Sequence, residues 1–171
     1  NGRCQIPKGV VVSHDGNSIY YTTYCANGTG GGGTDIFTLK YNSVGDTQWV
    51  RRYWGGVNAV PDQPRDLKFD KLGNIYVAGL AFYPTTGSDY VLIKYLSSGA
   101  QQWVANYSGL TANSSEGVTN LYLDTSLNMY VTGISGTTNL QEVATIKYSQ
   151  PLGIISTNNE LPESFALYQN Y

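Results

Sequence analysis

Short apolar runs alternate with polar turn residues along most of the chain. In its middle part, runs rich in Tyr, Val and Ile occupy residues 65–70, 75–80, 90–95 and 102–107. Gly, Asn, Ser and Asp separate the runs, a pattern that predicts β-strands joined by turns. No segment keeps a 3.6-residue period over the length of a helix. In YVLIKY, residues 90–95, both alternate sets are largely apolar, so both faces of this strand need a covering layer.

The same residue pattern recurs at a spacing of 54 positions. DKLGNIYVAG (residues 70–79) returns as DTSLNMYVTG (124–133), and DIFTLKYNSVGDTQWVRRYWG (35–55) returns as DYVLIKYLSSGAQQWVANYSG (89–109). A further copy of the second stretch, EVATIKYSQ, begins at residue 142 and stops before any Trp. The earliest copy of the first stretch, SHDGNSIYYTT, has a shorter turn and carries Thr23 where the others have Gly. The chain therefore holds two full repeats and most of a third.

Four strands in each repeat of this length are typical of β-propeller blades, which cover one another's apolar faces. The sequence predicts an all-β fold with two full four-stranded blades and one partial blade. Its expected parts are an N-terminal segment (residues 1–9), three repeats (10–56, 57–110 and 111–150) and a C-terminal tail (151–171).

The repeated stretches resemble a family of bacterial β-propeller repeats that carry the patterns D..GNIYVTG, D..TIKYN..G and QW...Y.G. The resemblance runs from about residue 10 to residue 149. It implies a propeller fold, and it implies little about activity because propellers carry unrelated functions.

The predicted blades cannot close into a ring within one chain. A closed propeller has about 4 to 8 blades, and 171 residues do not supply four units of 54. The chain is then part of a longer propeller, is completed by other copies, or forms an open stack. The third repeat supplies only three strands, and the candidates for its fourth are LGIIS (residues 152–156), residues 5–12, or a strand from another molecule.

The C-terminal tail indicates export, and two cysteines near the N-terminus could pair in an exported protein. Cys4 and Cys25, with 20 residues between them, predict a disulfide in an oxidising compartment, the alternative being two buried thiols. ELPESFALYQNY (residues 160–171) resembles the opening of the C-terminal sorting domain of type IX secretion in Bacteroidetes-type proteins, the alternative being an ordinary terminal strand. The resemblance implies a secreted or cell-surface protein. Within this tail, we expect an assembly strand that carries Phe165, Leu167, Tyr168 and Tyr171.

Composition narrows the class of partner. Charged residues make up 13% of the chain and the net charge is -2, which argues against nucleic acid and against an electrostatically held membrane surface. No apolar run is long enough to span a bilayer. The many Asn, Ser, Thr and Gly residues and the 15 Tyr residues favour an extracellular protein that contacts solids, sugars or itself.

The repeated polar residues predict structure rather than catalysis. His14 is the single histidine, which excludes most nucleophile arrangements that depend on a His base. Asp15, Asp70 and Asp124 recur once per repeat before Gly or Asn, as do turn residues that bond their own backbone. The sequence predicts no metal site, no cofactor and no enzyme activity.

Three lysines, Lys40, Lys94 and Lys147, recur inside apolar strands. Because a partly buried ammonium needs a partner, we expect each to form an ion pair. The expected partners are the turn aspartates or the acids five residues earlier, namely Asp35, Asp89 and Glu142.

Aromatic residues are the strongest candidates for binding. Recurrence at equal positions favours packing between blades, and exposure would favour stacking on sugars or on a protein partner. Trp54 is expected to be exposed, since Ser108 takes its place in the next repeat. The candidates are Trp49, Trp54, Trp103, Tyr53 and Tyr107.

The sequence thus favours a non-catalytic, exported structural protein. Its copies would complete one another through open blade edges and the C-terminal tail, giving an extracellular filament or surface assembly. The alternative is an extracellular polysaccharide-binding or protein-binding propeller module of a longer chain. A hydrolase would need an active site on blades outside this sequence.

Overall fold

The computed structural model describes residues 4, 6–26, 33–57, 59–109, 116–137, 140–149 and 163–169. Within these residues the chain forms twelve β-strands and no helix. The strands build three antiparallel four-stranded sheets that do not close into a ring. The predicted all-β fold is confirmed, with two repeats that each supply a whole sheet and a third repeat that supplies three strands.

The first sheet has the order β1-β2-β3-β4 and the second the order β5-β6-β7-β8. The strands of the first sheet are β1 (Gly9–Val12), β2 (Ser18–Ala26), β3 (Thr34–Asn42) and β4 (Thr47–Tyr53). Those of the second are β5 (Gln63–Phe69), β6 (Ile75–Tyr83), β7 (Gly87–Tyr95) and β8 (Gln101–Tyr107). Each strand of the second sheet overlaps one of the four runs predicted from the sequence and extends beyond it at one end.

The third sheet takes its fourth strand from the C-terminal tail. It has the order β12-β11-β10-β9, with β9 (Gly117–Leu123), β10 (Met129–Thr137), β11 (Leu140–Ser149) and β12 (Glu163–Gln169). None of the three predicted sources was right. Residues 9–12 form β1 of the first sheet, residues 152–156 lie outside the described part, and β12 comes from the same molecule as β11. The prediction failed because it looked for the fourth strand in the apolar run nearest to β11. In the structure, 13 residues separate the end of β11 from the start of β12.

The second sheet is covered on both faces. Val91, Ile93 and Tyr95 of β7 pack in the core shared with the first sheet, and Tyr90 and Leu92 pack in the core shared with the third. The two alternate sets of YVLIKY therefore face opposite neighbours, as predicted. A sheet that is apolar on both faces is stable in water only when another layer covers each face.

Close approach of two backbones explains the glycine that ends the repeated YVAG and YVTG stretches. A Cβ atom at Gly79 would lie 2.4 Å from the Gln63 carbonyl oxygen, and one at Gly133 would lie 2.0 Å from the Gly117 carbonyl oxygen. In both sheets the first strand shifts register beside this glycine. The pairing of β1 with β2 has no such shift, so the first repeat accommodates Thr23 there.

The recurring aspartates hold the turns before the second strand of each sheet. Asp70 accepts hydrogen bonds from the backbone N–H groups of Leu72 and Asn74, both at 2.9 Å, and from the Tyr76 hydroxyl at 3.1 Å. Asp124 accepts from Ser126 and Asn128 in the same way, both at 2.8 Å. Each carboxylate thus satisfies the donors of its own turn.

The N-terminal segment is joined covalently to the first sheet. Cys4 and Cys25 form a disulfide, which ties the residues before β1 to the end of β2. The predicted pairing is confirmed. Among the described residues, no helix has the length and hydrophobicity needed to cross a membrane.

We predict that loss of the disulfide destabilises the fold. Replacing both cysteines with Ala is expected to lower the free energy of unfolding by about 3 kcal/mol, because the cross-link restricts the unfolded chain. Urea unfolding with and without a reductant measures this difference. The reductant should destabilise the native chain and leave the double variant unchanged; equal unfolding midpoints for the oxidised native chain and the variant would contradict the prediction.

Candidate functional site

One face of each sheet carries a cross-strand row of a tyrosine, a lysine and an aromatic residue. We call this the forward face. In the first two sheets the row lies against the following sheet, where Trp49 and Trp103 are buried. The rows are Tyr20, Lys40 and Trp49 in the first sheet, Tyr76, Lys94 and Trp103 in the second, and Tyr130, Lys147 and the Phe165 position in the third.

Each lysine of these rows lies over the tyrosine of its own row. The ammonium nitrogen is 5.4 Å from the ring centroid of Tyr20 for Lys40, 5.3 Å from Tyr76 for Lys94, and 5.9 Å from Tyr130 for Lys147. The negative ring face attracts the cation, and the alkyl stem covers apolar surface.

The electrostatic partners of the lysines differ in part from those predicted. Asp35, which the sequence suggests together with the turn aspartates as a partner for Lys40, forms an ion pair with Arg52. Burial lowers the pKa of Lys94, and the nearby Asp70 carboxylate opposes that shift. The turn aspartate therefore acts electrostatically on this lysine. The strand acid Asp89 accepts a hydrogen bond from Thr86 at 2.5 Å.

The opposite face of each sheet, the rear face, carries an apolar row across all four strands. The central members of this row are buried in the second and third sheets, where the preceding sheet covers them. The rows are Val10, Tyr21, Leu39 and Val50; Leu67, Val77, Ile93 and Val104; and Leu121, Val131, Ile146 and the Ala166 position.

Polar groups of a forward face bond the turns of the next sheet. The Trp49 indole N–H donates to the Ser97 carbonyl at 3.2 Å, and the Tyr20 hydroxyl donates to the Gly73 carbonyl at 3.5 Å. In the same junction Arg51 donates to the Gly99 carbonyl at 2.5 Å. These hydrogen bonds fix the position of the first sheet along the strands of the second, in addition to the apolar contact between them.

An acidic residue before the first strand of a sheet forms a second joint. Asp62 donates its backbone N–H to the Thr34 carbonyl at 2.7 Å, and its carboxylate accepts from the N–H groups of Gly55 at 2.7 Å and Phe82 at 2.8 Å. Burial raises the pKa of Asp62 against the effect of these hydrogen bonds. Glu116, which is also buried, lies 54 residues later and donates its N–H to the Ser88 carbonyl at 3.1 Å. The repeat spacing of 54 relates Asp62 to Glu116 in the sequence, although the repeated motifs predicted no role for either acid.

The rear face of the first sheet lacks a covering sheet among the described residues. Its apolar row is the counterpart of the buried rows, yet Val10 is 63% and Val50 42% exposed. A groove of about 470 Å³ crosses this face. The groove is lined by Cys4, Tyr21, Thr23, Cys25, Phe37, Leu39, Tyr41 and Val50.

The forward face of the third sheet also lacks a covering sheet among the residues that the structure describes. Tyr122, 64% exposed, packs on Tyr130 with ring centroids 6.2 Å apart. Beside them the hydroxyls of Thr132 and Thr145 bond at 2.9 Å. The corresponding cross-strand pair in the first sheet is also Thr with Thr, at Thr22 and Thr38. The open forward face therefore repeats the residue types that cover the second sheet.

The remaining predicted aromatics lie in different surroundings. Trp54 is 47% exposed. The hydroxyls of Tyr53 and Tyr83 bond each other at 2.6 Å, and burial raises the pKa of both groups. Tyr107 packs on Tyr90 with ring centroids 5.6 Å apart. Of these residues, Trp54 alone has an exposure suited to direct contact with a ligand.

The tail residues of the predicted assembly strand fall largely in β12. Phe165, Leu167 and Tyr168 occupy positions paired with β11 of the same chain, and Tyr171 lies outside the described residues. Phe165 pairs with Lys147 as Trp103 pairs with Lys94. The tail strand thus takes the place of β4 and β8 in the third sheet, which corrects its expected role as an edge added to another molecule.

Two adjoining grooves of about 400 and 430 Å³ lie among the turns that carry the recurring aspartates. Both are lined by His14, Phe69, Asp70, Lys71 and Leu72. The aspartates bond their own turns, and hydrogen bonds from Ser13 and Asn17 lower the pKa of Asp15 to about 2. In the described part of the chain, no cluster of three or more His, Cys, Asp or Glu side chains is arranged to hold a metal ion.

In comparisons with known proteins, no family model and no curated protein matches the chain. The resemblance to bacterial propeller repeats and to a sorting segment therefore stays a prediction from the motifs.

We predict that the tryptophans of the chain differ sharply in their contribution to stability. Trp103→Ala is expected to lower the free energy of unfolding by about 3 to 5 kcal/mol, because the side chain is buried between two sheets. Trp54→Ala, the matched control, is expected to change it by about 0.5 kcal/mol or less. Urea unfolding of both variants tests this, and similar losses for the two would contradict the assignment of Trp103 to the junction.

Proposed function

We propose that this chain is a non-catalytic, extracellular structural protein whose copies associate head to tail. The forward face of the third sheet in one copy packs on the rear face of the first sheet in the next. Such a contact joins two different patches and is therefore heterologous.

One observation carries the proposal: the two open faces repeat the two sides of the junctions inside the chain. Val10 and Leu39 on the open rear face occupy the positions of Leu67 and Ile93, which the first sheet buries. Tyr130 and Lys147 on the open forward face occupy the positions of residues that bury a rear face. An exposed apolar row such as the one on the open rear face marks a site of protein contact.

Three features support an extracellular, non-catalytic role. A disulfide is compatible with an oxidising compartment, and the tail resembles the opening of a secretion segment. The turn carboxylates Asp15, Asp70 and Asp124 are engaged by their own turns, which leaves them to structure rather than to acid-base chemistry.

We predict that the 171-residue chain self-associates and that a charge on either open face weakens the association. Val10→Asp on the rear face and Thr132→Lys on the forward face are each expected to raise the dissociation constant by about tenfold or more. Their counterparts Leu67 and Thr22 are buried in the internal junctions, so each variant places a charge where the contact excludes water. Analytical ultracentrifugation across a concentration series measures this.

The matched control for these variants is Leu72→Asp. Leu72 is 76% exposed and lies on a turn of the second sheet, away from both open faces. Its replacement should leave the association unchanged. A native chain that is monomeric at every concentration, or a Leu72→Asp variant as defective as the other two, would contradict the proposal.

The exposed ring of Trp54 favours a second candidate function, the binding of an extracellular polysaccharide by stacking on sugar rings. In this alternative the three sheets form a binding module of a longer chain. The ring lies directly after β4, at the end of the first sheet.

For this alternative, Trp54→Ala is expected to weaken the binding of soluble polysaccharides by about fivefold or more, because the stacking surface is removed. Affinity electrophoresis against a panel of soluble glycans measures retention. Val44→Ala, which removes an exposed apolar side chain without a ring, serves as the control. Equal mobility of the native chain with and without every glycan would count against a polysaccharide ligand.

A further inference from the structure

The three sheets fan out from a common side. The first strands of consecutive sheets contact each other, β1 with β5 and β5 with β9. The forward-to-rear packing is also the same at both internal junctions. If the same junction is repeated while the first strands of the sheets stay in contact, each new sheet is rotated about an axis near those strands. This is the arrangement of blades in a propeller.

We propose that two copies of the 171-residue chain close a ring of six sheets. This inference rests on the proposed function, because it uses the same two faces. Propellers close with about 4 to 8 four-stranded sheets, and each copy contributes three. One copy falls below this range, three copies exceed it, and two copies give six sheets with two identical head-to-tail contacts.

The internal junction indicates which groups meet across the contact between copies. Tyr130 occupies the place of Tyr20, whose hydroxyl bonds the carbonyl of Gly73 in the neighbouring turn. The matching turn of the first sheet contains Gly16, which has a positive φ as Gly73 does. The Tyr130 ring of one copy therefore faces the turn at Gly16 of the other, while its hydroxyl donates to Asp124 of its own turn at 3.4 Å, as the Tyr76 hydroxyl does to Asp70.

The contact between copies lacks one feature of the internal junctions. Asp62 joins the first and second sheets next to Ala81, which pairs with Asp89. In the first sheet the position of Ala81 is taken by Cys25, which pairs with Asp35 as Ala81 pairs with Asp89. Cys25 is bonded to Cys4, so a disulfide occupies the place where Asp62 lies in the second sheet. Without the acidic joint, the two copies separate under conditions that leave each three-sheet unit folded.

Complementation between two face variants tests the ring. Val10→Asp damages only the rear face and Thr132→Lys only the forward face. These positions meet across the contact, since their internal counterparts Leu67 and Thr22 both lie close to Gly9. Mixing the two variants is expected to restore a particle of two chains, with one native contact and one contact in which Asp faces Lys.

Native mass spectrometry and ultracentrifugation of the native chain, each variant and the mixture separate the possible outcomes. A two-chain native particle, two variants that are monomeric alone, and a two-chain mixture support the ring. Native particles of more than two chains overturn the ring and leave head-to-tail assembly standing. Native monomers overturn both. A two-chain particle that Val10→Asp abolishes and Thr132→Lys leaves intact shows rear-to-rear pairing and also overturns the ring.

Discussion

Burial of an apolar rear row under the Tyr-Lys-aromatic row of the preceding sheet is the interaction on which the structure depends. The second sheet illustrates the constraint, because Leu67, Val77 and Ile93 on one face and Tyr76 and Leu92 on the other are almost completely inaccessible to solvent. Such a sheet has no face suited to water and needs a neighbour on each side. The stability of each sheet is therefore a property of its junctions.

The lysine at the centre of the row shows how a charge is accommodated in such a junction. Lys94 is buried between two sheets, and a buried ammonium without compensation is costly. Its nitrogen lies 5.3 Å from the Tyr76 ring centroid and 6.0 Å from that of Trp103. The ring faces and the Asp70 carboxylate together compensate the charge, while the alkyl stem packs as an apolar side chain.

The strands and the faces they present could be predicted because both follow from local periods. The alternation in residues 90–95 and the repeat spacing indicate which side chains share a face, and the structure agrees. Other features depend on contacts between distant segments. The pairing of β12 with β11 competes with a nearer apolar run, and the need for Gly79 arises from a register shift against the Gln63 carbonyl. Neither leaves a local signal. The open faces were detectable in principle, since their residues repeat those of buried faces.

The register shared by all three sheets has a consequence for the solubility of the isolated chain. Since each sheet repeats the register of the one before it, the forward face of the last sheet and the rear face of the first keep the residue pattern of an internal junction. A chain whose end faces stay uncovered therefore exposes side chains of the types that the internal junctions bury, which lowers its solubility. The disulfide of Cys4 and Cys25 lines the groove of the open rear face, so part of the surface that a second copy would contact is held in place by a covalent cross-link.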